Sequence, residues 1–462
     1  NESWKEVVLK DLKGADYDKK LVWKTIEGIE LEPYYRADII EKINHLESNP
    51  GEYPYVRGKN YENDWEVCVA VNVDDVKLAN KKALKLIESG VTFLGFNIRN
   101  DITTQDFEQL LENINLEEIG INFYSGNRNG WYTNILSYYI DKEGFDPKKV
   151  YGSDDFDSLG HLLKHGEYPC KHDECSCAHN RVDMLKTQMP NFKLISVNAR
   201  NIHSAGGSVV QELGYGLAMG AQYFEDLERC SLTVDDMAKT MRFVFSVGSN
   251  YFFEIAKLRA ARMLWSKIVE AHKPNCLDST KMFIHCETSR WNKTIYDPHV
   301  NMLRATTEAM AAVIGGTDSL SVVPFDRFYK RTDDFSERIA KNIQLVLKEE
   351  AHFDKVKDPA AGSYYIEYLT QVIAEKAWDI FLNVQENGGF IEAFKKGIIQ
   401  EDIDKTAKIR SQNIANRKEV FVGCTQYPNS DEIIKEIDFD YSFSKEPEIG
   451  NLGRALRLHR AT

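Results

Sequence analysis

The chain lacks any run of about 18 apolar residues, and its first twenty residues, NESWKEVVLKDLKGADYDKK, are charged throughout. A membrane span needs such a run and a secretory leader needs an apolar core, so neither is expected and a cytoplasmic location follows. Basic excess is lacking too: 58 Lys and Arg stand against 71 Asp and Glu, a net charge of −13. Phosphate backbones and anionic lipids are bound mainly through Lys and Arg, so nucleic acid and membrane surfaces are not expected partners. Eight cysteines in 462 residues do not make a disulfide framework, and most should be reduced thiols. Four catalytic signatures are missing: G-x-x-x-x-G-K-[ST], G-x-S-x-G, H-E-x-x-H and a His-x-His on the first strand. Without them the P-loop, serine-elbow, zinc-protease and metal-dependent barrel hydrolase readings lose their support.

What is present is a long chain with 43% hydrophobic residues, enough for a large core. Eight short β-rich runs alternate with helical stretches: Trp65–Val71, Val91–Ile98, Ile119–Tyr124, Lys148–Tyr151, Lys193–Val197, Phe243–Val247, Met282–Glu287 and Ser319–Val323. Eight β/α repeats predict an α/β protein built as a TIM (β/α)8 barrel over residues 61–355. A doubly wound sheet fits less well, because no glycine-rich phosphate loop follows the first strand. Residues 1–60 read as an N-terminal extended arm: Trp4, Val7, Val8 and Leu12 sit near helical spacing, and the Tyr-, Pro- and Gly-rich remainder should be irregular. Trp4, Leu12, Leu21, Val22 and Trp23 put apolar surface on a segment too short to form a core, so this arm is expected to contact a partner. Residues 356–462 read as a C-terminal helical extension and linker.

Three groups of residues could carry chemistry. His161, His165, Cys170, His172, Cys175, Cys177 and His179 cluster in one segment. Thiolates and imidazoles are zinc ligands, so Cys170, His172, Cys175, Cys177 and His179 form a candidate metal set. Their spacing is not that of a zinc finger, and an exposed, redox-sensitive loop is the competing reading. After the fifth strand, the run from Ser196 to Gly220 places Arg200, Asn201 and His203 where a barrel's catalytic face lies. Helix capping by Ser204 or Ser208 and close packing at the glycines would explain the same stretch. On the seventh strand His285 and Glu287 share a face, suited either to general acid/base work or to a buried hydrogen-bonded pair. In the helix before it, Ile255, Leu258, Arg262, Trp265 and Val269 form one stripe, and Arg262 there is expected to need an anion.

At these residues the sequence resembles the methylmalonyl-CoA mutase family, adenosylcobalamin enzymes that interconvert methylmalonyl-CoA and succinyl-CoA. The matching stretches are LVWKTIEGIELEPYY, GEYPYVRG, AGGSVVQELGYGLAMG, NYFFEIAKLRAARMLWSKIVEA, ETSRWNKTIYDPHVNMLRATTEAMAAVIGGTDSL, TDDFSERIAKNIQ, DPAAGSYYIEYLT and VFVGCTQYPN, nearly the whole chain. The resemblance implies a barrel along whose axis coenzyme A threads. Departures matter more. Catalytic chains read Gly-Tyr-His-Met-Gln-Glu-Ala-Gly where this chain reads Ala199 to Gly206, so the substrate-binding Tyr-His pair becomes Arg200 and Asn201. An amide is not a protonatable acid, and that exchange removes an acid function. The family's Arg-Thr-His-Ser-Gln-Thr-Ser-Gly becomes Phe283 to Arg290, and Ser-Leu-His-Thr-Asn becomes Ser319 to Val323. The Asp-x-His-x-x-Gly loop that ligates cobalt is absent, and a cobalamin-type domain, if any, is expected beyond residue 462.

The resemblance therefore implies a non-catalytic small (beta) subunit of a heterodimeric mutase. No catalytic or cofactor-binding residue is expected on it, Arg200, Asn201, His203, His285 and Glu287 being degenerate site positions. Adenosylcobalamin would enter the holoenzyme through a catalytic large subunit, with none bound by this chain, and an isolated chain could form a homodimer. Two other functions stay open: an active acyl-CoA mutase barrel using a separate cobalamin-binding subunit, and a zinc-binding or redox-sensing barrel.

Overall fold

A computed structural model describes residues 2–124, 131–169, 182, 184–186, 188–228, 232–432 and 448–457. Eight parallel strands close into a barrel in chain order: β1 Glu66–Asn72, β2 Phe93–Asn97, β3 Gly120–Tyr124, β4 Tyr151–Phe156, β5 Asn191–Val197, β6 Met241–Val247, β7 Ile284–Thr288 and β8 Ser319–Ser321, which returns to β1. Each strand is followed by a crossover helix: α1 Val76–Glu88, α2 Thr104–Leu111, α3 Trp131–Glu143, α4 Ser158–His165, α5 Val209–Glu228, α6 Tyr251–Ala271, α7 Val300–Ile314 and α8 Asp334–Leu345. The expected TIM barrel is the observed one.

Local chemistry starts these helices. Asp75 accepts from Leu78 N, Thr103 and Asp106 form a reciprocal capping box, and Asp157 accepts from Gly160 N, satisfying amides that have no intrahelical partner. Strand alternation then separates two environments. Outward residues such as Phe243 and Phe245 meet the helices, with the Trp265 ring 4.6 Å from Phe243 in an edge-on contact. Inward positions hold small and polar residues, among them Cys68, Asn122, Ser153, Arg242, His285, Glu287 and Ser319.

The fourth strand corrects an expectation. It lies at Tyr151–Phe156 rather than at residues 148–151. Its sequence, YGSDDF, reads as a turn because two adjacent aspartates disfavour a strand. Tertiary partners override that: the outward Asp154 carboxylate accepts from the Thr133 hydroxyl at 2.8 Å, and Asp155 meets arginines inside the barrel at 3.5–4.0 Å.

Beyond the barrel, α9 Tyr364–Glu386, α10 Gly389–Lys395 and α11 Ile398–Ala415 form the C-terminal helices. With α9 laid over it, α6 is buried almost all round, so its charged residues Glu254, Lys257, Arg259 and Arg262 are buried with it and must find partners inside the protein. The N-terminal segment contains helices Glu2–Asp11 and Tyr17–Leu21 and a two-residue-wide ribbon pairing Trp23–Lys24 with Glu30–Leu31, more regular than the sequence suggested. Much of it rests on its own chain. Tyr35 packs against Tyr365 and Tyr368 at 5.0 and 5.2 Å, His45 Nε2 lies 3.1 Å from Glu367, and Ile29, Leu31 and Val56 join the core.

Arg262 breaks the expectation that its guanidinium would meet an anion. It donates instead to four carbonyls, those of Tyr55, Val56, Gly315 and Gly316, at 2.8–3.2 Å. Two of these follow the C-terminus of α7, where unpaired carbonyls concentrate negative potential. The carboxylates are taken by its neighbour Arg259, 2.8 Å from Glu367 and 3.2 Å from Asp358.

Candidate functional site at the C-terminal mouth of the barrel

At the carboxyl ends of the strands the chain places Arg200 and Asn201 on the short helix Arg200–Ser204 that leaves β5, opposite Glu287 on β7. Arg200 Nη1 donates to Glu287 at 2.8 Å, and Arg290 Nε donates to the other Glu287 oxygen at 2.7 Å. A second carboxylate, Asp155, lies 4.0 Å from Arg200 and 3.5 Å from Arg242, and accepts from the Asn198 amide at 3.1 Å. Three guanidiniums and two carboxylates thus form one chain of ion pairs across the mouth.

The electrostatics follow from that arrangement. Burial alone would raise the Glu287 carboxyl, but Arg290 and Arg200 outweigh it and push it down to about 2. The same balance holds Asp155 below the usual carboxylate range through Arg200 and Arg242. Both carboxylates are ionised at neutral pH, and neither can serve as a general acid. His285 Nδ1 lies 2.7 Å from the Ser319 hydroxyl. Burial, then the charges of Arg242 and Arg200, push it down to about 3, so it stays neutral. His285 and Glu287 share the predicted strand face but do not form the expected hydrogen-bonded pair: His285 meets Ser319, and Glu287 meets Arg200 and Arg290.

His203 points away from this chain of charges. Its Nε2 lies 2.7 Å from the Ser289 hydroxyl and its Nδ1 3.6 Å from Glu212. Glu212 in turn is 2.7 Å from the buried Lys257 ammonium, which also reaches Glu254 at 2.6 Å. Asn201 is buried, and its Nδ2 has no hydrogen-bond partner. Among the five positions singled out from sequence, only Arg200 and Glu287 are joined directly.

Tyr124, Asp155 and Arg242 escaped sequence reading. Tyr124 ends β3, and a Cβ on Gly95 of β2 would stand 2.6 Å from its ring. Glycine at this position is what admits the aromatic side chain beside β2. A Tyr closing the strand was a usable signal, since strand ends form the working face of such barrels. Asp155 was hidden by the turn-like strand, and Arg242 by its place at the start of an apolar run.

The candidate zinc ligands Cys170, His172, Cys175, Cys177 and His179 lie outside the described residues. His161 and His165 are described: their rings stand 4.3 Å apart, and His165 Nδ1 is 2.8 Å from Glu448. Among the described residues no group of three or more His, Cys, Asp or Glu side chains is disposed to hold a metal ion.

Fold and site together define a (β/α)8-barrel protein whose mouth is occupied by its own ion pairs. A family model described as methylmalonyl-CoA mutase matches residues 24–105 and 95–461, and the chain belongs to that family. It is 43% identical over 436 residues to the methylmalonyl-CoA mutase small subunit of Porphyromonas gingivalis, covering 94% of this chain and 70% of that protein. It is 33% identical to the methylmalonyl-CoA mutase of Rhizobium meliloti, covering 92% of this chain and 63% of that protein. Against the methylmalonyl-CoA mutase small subunit of Streptomyces virginiae the identity is 30%, over 91% of this chain and 68% of that protein.

Proposed function

We propose that this chain is the non-catalytic small subunit of a heterodimeric, adenosylcobalamin-dependent methylmalonyl-CoA mutase, acting in the cytoplasm in propionate metabolism. The observation that carries this reading is the Arg290–Glu287–Arg200 ion-pair chain, at 2.7 and 2.8 Å, lying across the mouth where a barrel enzyme presents its working face. Reopening that mouth to a thioester would require breaking buried ion pairs, which is strongly unfavourable.

The residues present do not fit a cobalamin. Cobalt would need an imidazole it can reach, and His203 and His285 are 4% and 1% exposed, each with one ring nitrogen against a serine hydroxyl, Ser289 and Ser319. Substrate and cofactor therefore belong to a large partner subunit, and this chain supplies surface and shape. Val7 and Leu9 on helix Glu2–Asp11, Trp23 on the ribbon and Tyr34 beyond it are exposed by 46–57%, apolar surface suited to that partner. No described helix is long and apolar enough to cross a membrane.

The test is reconstitution. The chain alone, with added adenosylcobalamin, should neither isomerise methylmalonyl-CoA nor change the cofactor's absorption spectrum. Together with a large subunit it should form a stable complex that turns over. Deleting residues 2–22 should weaken that complex by at least tenfold while leaving the barrel folded. Turnover by the isolated chain, alone or with a free cobalamin-binding subunit, would overturn the assignment and favour an active mutase barrel.

A further inference from the structure

The amino-terminal end of the barrel, opposite the ion-paired mouth, opens on a cavity of about 310 Å³ lined in part by Lys59, Lys193, Lys239, Lys281 and Phe283. Two of these lysines have carboxylate partners: Lys59 Nζ lies 2.9 Å from Asp318, and Lys281 Nζ 2.7 Å from Asp278. Lys193, near the start of β5, is held differently. Its Nζ donates to the Lys239 carbonyl and stands 5.8 Å from the centre of the Phe283 ring, a ring it shares with Lys59 at 4.4 Å. The acidic group that acts on it is Asp318, already engaged by Lys59. The result is an amine facing open space, crowded by like charges and held by a neutral carbonyl and an aromatic face.

Burial first, and the neighbouring Lys59 charge second, push the Lys193 amine down to about 8. A lysine so placed exposes a nucleophilic lone pair at neutral pH, unlike an ordinary surface lysine. Asp278 in the lining answers Lys281 and Asp318 answers Lys59, so the four lysines outnumber the carboxylates and Lys193 and Lys239 are left in excess. Carbon dioxide is small enough for the space, and its adduct with an amine is an anion.

We propose that Lys193 is a carbon dioxide modification site, forming a carbamate that the ammonium groups of Lys59, Lys239 and Lys281 hold in the cavity. In the step, the nitrogen lone pair of the neutral amine attacks the carbon of CO2 and forms an N–C bond. One C=O π pair moves onto oxygen, and a proton leaves nitrogen for solvent. No oxidant or reductant is needed. The product replaces a cation repelled by its neighbours with an anion attracted to them, which is the source of its stability in this place rather than on a solvated lysine.

The experiment uses the full chain equilibrated with 13C-labelled bicarbonate and CO2. Carbon-13 NMR should show a protein-bound carbamate resonance that is lost in Lys193→Arg, which keeps the positive charge but has no nucleophilic amine. The resonance should weaken severalfold in Lys59→Gln, which removes a cation from the cavity. In parallel, trapping with a trialkyloxonium reagent followed by peptide mass mapping of the unmutated chain should place the ester on Lys193, a readout that does not depend on any variant folding. No resonance at saturating CO2, a resonance that persists in Lys193→Arg, or a trapped ester only at the chain's amino terminus or another lysine would overturn the proposal.

Discussion

Replacing Glu287 by Gln tests whether the ion-pair chain at the mouth stabilises the fold. The carboxylate bridges Arg200 at 2.8 Å and Arg290 at 2.7 Å and is only 9% exposed, so solvent screens it little. Its carboxyl moves from 4.5 to about 2 on folding. At 1.36 kcal/mol per unit, that shift corresponds to about 3 kcal/mol of stability at neutral pH. Between pH 4.5 and 2 the unfolded chain binds the proton that the folded chain refuses, so this contribution is fully present above pH 4.5 and fades as pH falls toward 2. Glu287→Gln keeps the shape, removes the charge and leaves two guanidiniums short of an anion. The expected penalty at pH 7 is about 3–5 kcal/mol, read as the shift of the urea unfolding transition followed by tryptophan emission. The gap between variant and parent should narrow steadily as the titration moves from pH 4.5 towards pH 2. A penalty below about 1 kcal/mol at pH 7, or one that does not change with pH in that window, would refute the reasoning.

Two further expectations concern packing. Arg262→Met should cost at least about 3 kcal/mol, because four buried carbonyls lose charge-assisted donors; a loss under about 1 kcal/mol in thermal unfolding would mean water replaces the guanidinium freely. Gly95→Ala sets a methyl 2.6 Å from the Tyr124 ring and should destabilise by roughly 1–3 kcal/mol. Tyr124→Ala should relieve that penalty in a double-mutant cycle, and additive effects would show that the ring is not the obstacle.

The alternation of β-rich and helical runs was legible in the chain because period-two and period-3.6 patterning acts locally, and it led to eight strands and a closed barrel. The fourth strand was misplaced for the complementary reason. Its aspartates are stable only with Thr133 from one helix and arginines from two distant segments, and no window of sequence contains them together.

The site divides the same way. Position along the chain alone marked Arg200, Asn201, His203, His285 and Glu287 as standing where barrel chemistry lies, and family likeness marked their departure from a catalytic pattern. Only the tertiary structure decided who pairs with whom: Arg200 with Glu287 across 87 residues, His203 with Ser289 across 86, and Arg262 with carbonyls rather than an anion. Sequence specifies a side chain's charge and the face of its element. Whether that charge is answered by a carboxylate, a carbonyl or open space depends on which distant strands the barrel closure brings within about 3 Å, the reach of a hydrogen bond.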